Sequence, residues 1–275
     1  MRAFLILIFL LSFEIIFNIT DIIGFGYWVL GDDMNDVDLK DLYKKGTTDI
    51  FLKYNAFEKH GDKKVLSWIE NANNYNIRIH IWMKVFNKDG EWLDPAKIDY
   101  DYIVKEAKTY ASKPGVSGVN LDYIRYHSGH YAYQTEGGAE AISNFIKKVE
   151  KEIHSINSDC IISAAIIPET TDSLKYYGQD YSVFSKYLNV VLPMVYKGNY
   201  KKDTDWIEST SEWYVKNSKG ASVWIGLLSY KNDDDLTELS SSELNDDIKA
   251  ALKPKSDGVI LYRWGLSYNV KFNNF

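Results

Sequence analysis

From about residue 22 to the C-terminus, short apolar runs alternate with amphipathic stretches, and the alternation repeats eight times. The runs are Ile22 to Val29, Thr48 to Tyr54, Ile77 to Phe86, Val116 to Ile124, Cys160 to Ile167, Asn189 to Tyr196, Ala221 to Leu228 and Gly258 to Tyr262. The stretches between them read as helices over Val37–Lys45, Asp62–Tyr75, Asp99–Ser112, Glu140–Ile153, Ser173–Leu188, Thr204–Lys216 and Ser241–Leu252. In Glu140–Ile153, for example, Ile142, Phe145, Ile146, Val149 and Ile153 fall at helical spacing. Strands that alternate with helices are parallel, because each crossover needs a helix. Runs apolar at both parities mark strands covered on both faces. Eight such units predict a single (β/α)₈ barrel, and 275 residues suffice for one. An open doubly wound sheet is the competing arrangement, but Gly24-Phe25-Gly26 lacks the third glycine of a phosphate-binding turn. Only residues 265–275 follow Trp264, so the eighth helix is short or missing.

The first 20 residues stand apart from this rhythm. Arg2 precedes an apolar stretch, Ala3 to Phe13, in the manner of an export signal. Glu14 interrupts it and no small-x-small cleavage site follows, so an uncleaved anchor running to Ile19 competes with a cleaved signal. The division expected is residues 1–20 as signal peptide or membrane anchor and 21–275 as the barrel. Either form places the protein outside the cell or at its surface, the anchor adding membrane attachment. The net charge of −6 argues against a nucleic-acid partner, which would call for a basic face. The one cysteine, Cys160, opens an apolar run and reads as a buried thiol.

In barrels of this kind the working face lies at the carboxyl ends of the strands. Alternation then decides which side chains point inward. In the fourth run, Val119 and Leu121 face the helices, while Asn120 and Asp122 face the interior. A buried carboxylate is costly without partners or a task, so Asp122 is the first catalytic candidate. Arg125 follows as an ion-pair partner or substrate clamp. Glu169, just past the fifth run, is the second carboxylate candidate. His80, Trp82 and Lys84 share one face of the third run, and Lys53 ends the second. Trp28, Tyr196, Trp224, Tyr262 and Trp264 lie in or at the ends of other runs, and aromatic residues make up 15% of the chain. Such rings suit stacking on flat ligands such as sugars. His127 and His130 form His-x-x-His in a Gly/Ser/Tyr-rich stretch and are expected to decorate a loop over the site. No metal ion or organic cofactor is expected.

Gly118 to Tyr126, reading Gly-Val-Asn-Leu-Asp-Tyr-Ile-Arg-Tyr, resembles the fourth-strand segment of a broad family of glycoside hydrolase-like barrels. Leu192-Pro193-Met194-Val195-Tyr196 and Gly258 to Tyr262 resemble that family's sixth and eighth strands. The same strands are similar to family 18 chitinases, with differences. Ile124 stands where their catalytic Glu would be, and Lys197 where their strand-six Asp would be. The pattern is closer to α-amylase-like and α-galactosidase-like barrels, whose strand-four Asp is a nucleophile. The resemblance implies Asp122 as nucleophile and, by strand position, Glu169 as general acid/base. Trp28, Lys53, His80, Trp82, Lys84, Asn120, Arg125, Tyr196, Trp224, Tyr262 and Trp264 are then the expected substrate-binding set. The expected activity is cleavage of glycosidic bonds in a polysaccharide or cell-surface glycan by a carboxylate pair. A catalytically inactive carbohydrate-binding barrel and a metal-dependent deacetylase or phosphodiesterase are the rival readings.

Overall fold

The computed structural model describes residues 23–88, 90–127, 129–266 and 270–275. The expected signal or anchor, residues 1–20, lies outside them. Eight parallel strands close into a barrel: β1 (Gly24–Val29), β2 (Asp49–Lys53), β3 (Arg78–Lys84), β4 (Gly118–Asp122), β5 (Ile161–Ile166), β6 (Val190–Pro193), β7 (Ser222–Leu228) and β8 (Gly258–Tyr262). The ring closes where Gly24 pairs with Gly258. Around it run α1 (Leu39–Lys44), α2 (Ala56–His60), α3 (Asp62–Asn74), α4 (Asp101–Ala111), α5 (Gly138–His154), α6 (Tyr181–Tyr187), α7 (Thr204–Asn217) and α8 (Ser241–Leu252). Among the described residues no α-helix follows β8; the chain ends in a 3₁₀ turn, Phe272–Asn274. The single (β/α)₈ barrel with a curtailed last helix is therefore what the chain forms. No described helix is long and apolar enough to cross a membrane.

Local differences from expectation have local causes. The helix expected over Ser173–Leu188 is split, because Gly178 adopts φ +71° and Asp180 starts a new helix by capping Ser182 and Val183. Two hairpins were not anticipated. Asn87–Lys88 pairs with Glu91–Trp92 after β3, and Tyr230–Asn232 pairs with Asp235–Glu238 after β7. Both decorate the carboxyl-end face.

The buried side chains fall into two cores. One lies between the strands and the helices and takes the outward residues, such as Ile79, Ile81, Val119, Leu121 and Val259. The other fills the barrel with Trp28, Phe51, Trp82, Ala165, Val190, Leu192, Trp224 and Ile260. Large rings fit inside because glycines face them. A methyl group on Gly24 would strike the Trp224 ring, one on Gly118 would strike His80, and one on Gly226 would press on Trp28 at 3.1 Å. Cys160 is buried, as its apolar setting implies, and burial pushes its thiol up to about 12.

A buried charge cluster closes the amino-terminal half of the barrel. Asp49 accepts from Arg78 Nε and Nη2, both at 2.8 Å, and lies 2.8 Å from His80 Nε2. Burial alone would raise the Asp49 pKa, but the hydrogen bonds and charges of His80 and Arg78 outweigh it and hold the carboxyl below its usual range. A carboxylate lowered in this way stabilises the fold above its unfolded pKa, about 3.9. That contribution is lost as pH falls through the lower folded value. Asp49→Ala strands the buried His80 and the half-buried Arg78 and is expected to cost about 3 kcal/mol near neutral pH. The deficit relative to wild type, measured by urea unfolding, should shrink below about pH 4. A deficit independent of pH would contradict the assignment.

Candidate active site

The carboxyl ends of the strands surround a cavity of about 390 Å³. Its floor and walls are built by Trp28, Trp82, Asp122, Arg125, Tyr196 and Tyr262, together with Tyr123, Ala165, Ile167, Pro168, Met194, Asn199, Tyr200 and Asp233. The first six are residues that alternation and strand position single out.

Asp122 ends β4 and is half-buried. Its Oδ2 accepts from Trp82 Nε1 at 2.9 Å, and its Oδ1 accepts from the Tyr123 backbone N–H at 2.7 Å. The carboxyl plane is thus held by one donor on each oxygen. Burial raises its pKa above the usual carboxylate range, although those donors and the charges of Arg125 and Lys84 pull the other way. Lys53 and Lys84 stand close by, Lys53 Nζ 5.6 Å from the Trp82 ring and Lys84 Nζ 4.8 Å from that of Tyr123. Burial and the charge of Lys84 lower the Lys53 pKa, against the opposing pull of Asp122.

Tyr123 adopts φ +56°, a left-handed conformation that is uncommon for a bulky residue. The consequence is a change of side. Strict alternation would aim Ile124 inward, but Ile124 is fully buried in the outer core and Tyr123 lines the cavity. The position that carries the catalytic Glu in chitinase-like strands is therefore turned away from the site. Arg125 then returns to it, its guanidinium 4.6 Å from the Trp92 ring, 5.8 Å from Tyr123 and 5.7 Å from Tyr177.

Tyr262 organises the aromatic lining. Its ring stacks with Tyr196 at 6.1 Å and meets Trp28 and Trp82 edge-on at 6.3 and 6.1 Å. Lys197, next to Tyr196, points away and pairs with Asp247 and Glu243 of α8.

Four expected substrate contacts lie elsewhere. His80 and Trp224 are fully buried beneath the cavity, where His80 stacks on Phe51 at 4.6 Å and Trp224 packs edge-on against both. Alternation fixes a side chain's side of the sheet but not its height along the strand. Asn120 is also buried below the floor; it donates to Ser163 Oγ at 2.9 Å and accepts from Trp28 Nε1 at 3.4 Å. Its work is to hold Trp28. Trp264 packs on the outer core, its backbone N–H donating to the Trp28 carbonyl. Glu169 stands behind the wall: its Oε1 accepts from the hydroxyls of Tyr177 and Tyr200 at 3.3 and 3.4 Å, and of these two Tyr200 lines the cavity.

Asp233 is the carboxylate that strand-end reasoning missed. It sits in the turn of the hairpin after β7, where Asn232 to Asp235 supplies the polar residues of a tight turn. Tyr230 donates its hydroxyl to Asp233 Oδ1 at 2.9 Å, and Asn199 Nδ2 donates to Oδ2 at 2.9 Å.

His127 and His130 flank a separate hollow with Trp92 and Asp94. Their rings stack at 6.1 Å, and His130 Nε2 lies 3.3 Å from Asp94 Oδ2. Among the described residues no group of three or more His, Cys, Asp or Glu side chains is arranged to hold a metal ion.

Residues 50–222 match the family described as "Putative glycosyl hydrolase domain". The chain belongs to this family. No curated protein matches the chain. Among solved structures it is similar to the PgaB (BpsB) glycoside hydrolase domain of Bordetella bronchiseptica, at 10% identity and TM-score 0.68, covering 88% of this chain and 94% of that one. It is also similar to a class V chitinase of Pseudomonas fluorescens Pf-5, at 14% identity and TM-score 0.66, with coverages of 91% and 97%. The endo-1,4-β-D-mannanase of Thermotoga petrophila RKU-1 matches at 11% identity and TM-score 0.59, with coverages of 89% and 88%. At these identities the likeness is one of fold.

Trp82→Phe keeps a ring in place but deletes the donor to Asp122 Oδ2. The Asp122 carboxyl is expected to titrate at a higher pH in the variant than in wild type, read by ¹³C NMR of labelled aspartate. An unchanged titration would show that this hydrogen bond does not hold the charge.

Proposed function

We propose that this protein hydrolyses glycosidic bonds in a polysaccharide or cell-surface glycan, with Asp122 at the reaction centre. The observation that carries the reading is the setting of Asp122. Its carboxylate, gripped on both oxygens, stands in an aromatic-lined cavity at the carboxyl-end face of a glycosyl hydrolase-family barrel. Cleaving an acetal needs little more than positioned carboxyl groups and a surface for the ring. Trp28, Trp82, Tyr196 and Tyr262 supply apolar faces of the kind that pack on pyranoses. Arg125, with a planar fork of donors, suits hydroxyl or acidic groups on a neighbouring sugar.

The resemblance in sequence makes Asp122 the nucleophile and Glu169 the acid/base. The setting of Asp122 supports either of two roles, attack on the anomeric carbon when ionised or proton donation when protonated. Glu169 would take part through Tyr200 or by a shift of that side chain.

Asp122→Asn is expected to lower kcat about 10²–10⁴-fold, with a smaller effect on KM. The assay is release of reducing ends from chitin and β-1,4-mannan oligosaccharides and a wider set of α- and β-linked glycans. Binding without turnover by the wild type across that set would favour the inactive carbohydrate-binding barrel.

Export is part of the same proposal, since glycans of this kind lie outside the cell. It rests on the apolar stretch Ala3 to Phe13 behind Arg2. Fused ahead of a reporter that lacks its own signal, residues 1–22 are expected to carry it across the membrane. A reporter that stays in the cytosol would discard this part of the reading.

A further inference from the structure

We propose that Asp233 is the second carboxylate of the reaction, the base that takes a proton from the attacking water, and that Asp122 on the facing wall is its acid partner. The assignment rests on the glycosidase reading above and adds to it the identity and division of labour of the pair.

The first argument is placement. Asp122 and Asp233 are the two carboxylates among the residues that line the cavity. They come from β4 and from the hairpin after β7, three strands apart around an eight-stranded ring. Side chains from such positions approach the cavity from opposing walls. Glu169 follows β5, the neighbour of β4, and would approach from the same side as Asp122.

The second argument is what lies between them. The hydroxyls of Tyr123, Tyr196 and Tyr262 each feel both carboxylates, and both charges help to raise the pKa of each phenol beyond what burial does. These three rings line the cavity, so the space they border is the space between the two acids. An inverting pair must leave room between its members for a sugar ring with a water on one face.

The third argument is environment. Asp233 is exposed at the rim, where water reaches it, and its oxygens accept from Tyr230 and Asn199. A base that activates water must meet it, and these two donors hold the Asp233 carboxylate in place at the rim. Asp122 is half-buried at the floor, and burial favours its protonated form. A carboxyl open to water and one drawn back from it divide naturally into base and acid.

The step balances without a further reagent. The oxygen of water bonds to the anomeric carbon as the bond from that carbon to the leaving oxygen breaks. The water proton passes to Asp233, and the Asp122 proton passes to the leaving oxygen. Solvent then returns a proton to Asp122 and removes one from Asp233. Attack from the face opposite the leaving group gives a product of inverted configuration.

The test uses the full chain and whichever chitin or β-1,4-mannan oligosaccharide the wild type cleaves. Asp233→Asn keeps an acceptor for Tyr230 or Asn199 and is expected to lower kcat at least 100-fold with KM within about threefold. The acid limb of its pH–rate profile should vanish. In Asp233→Ala, sodium azide is expected to restore turnover and to give a glycosyl azide of inverted configuration, which a hairpin merely loosened by the substitution would not do. In the wild type, the first product seen by ¹H NMR before mutarotation should be inverted. A retained product, or Asp233→Asn activity within threefold of wild type, would overturn the assignment. So would a loss confined to Glu169→Gln. A wild type that cleaves no glycan while Asp122→Asn binds as it does would overturn the hydrolase reading itself, and this assignment with it.

Discussion

The site depends on how the barrel is filled. Trp28, Phe51, Trp82 and Trp224 occupy the interior, and they fit because Gly24, Gly118 and Gly226 present no side chain to the rings or to His80 beside them. An interior packed to native density transmits position from one layer to the next. Phe51 carries His80 on one side and Trp28 on the other. Trp28 is in turn held by Asn120, which Ser163 orients. The floor beneath Asp122 is therefore the top of a stack that begins at the Asp49 ion pair. Buried charge below and apolar rings above give the barrel one closed end and one open one.

A carboxylate at the open end meets two opposing demands. Removing it from water favours the neutral form, while Trp82 and the Tyr123 N–H favour the charged one. Burial outweighs the donors, so the carboxyl keeps its proton to a higher pH than a free aspartate does, the direction that suits a proton donor. The left-handed turn at Tyr123 belongs to the same device. It swings a phenol into the cavity, at a conformational cost that the packing of Ile124 in the outer core helps to offset.

Much of the architecture was legible because it follows from periodicity. Two-residue alternation separated the inward Asp122 from the outward Leu121, and the eightfold rhythm called for closure. Height along a strand is not periodic information. His80 and Asp122 both face inward, yet one lies in the sealed half and the other in the open half, and only the register between strands decides which. Loop chemistry was harder still. Tyr123 escaped because a left-handed residue reverses the parity that alternation assumes. Asp233 escaped because it belongs to a turn, and Asn232 to Asp235 reads locally as turn-forming polarity.

The contrast between Glu169 and Asp233 shows why strand position alone is a weak guide to which carboxylates line the cavity. Glu169 stands just past its strand, where an acid/base is expected, yet Gln179 Oε1 accepts from the Ile167 N–H and Ser173 bonds to the Glu169 carbonyl. These bonds wrap the segment into the turn that starts at Ser173, and the carboxylate ends among the hydroxyls of Tyr177 and Tyr200. Asp233 lies five residues beyond the end of β7, but its hairpin folds back over the cavity and Asn199 from the loop after β6 pins it there, with Asn199 Oδ1 accepting the Asp233 N–H at 3.0 Å. A side chain's place in a barrel site is thus set less by its distance from a strand than by which neighbouring loop satisfies its backbone. Here the loops after β6 and β7 satisfy each other, and the carboxylate they share lines the same cavity as Asp122.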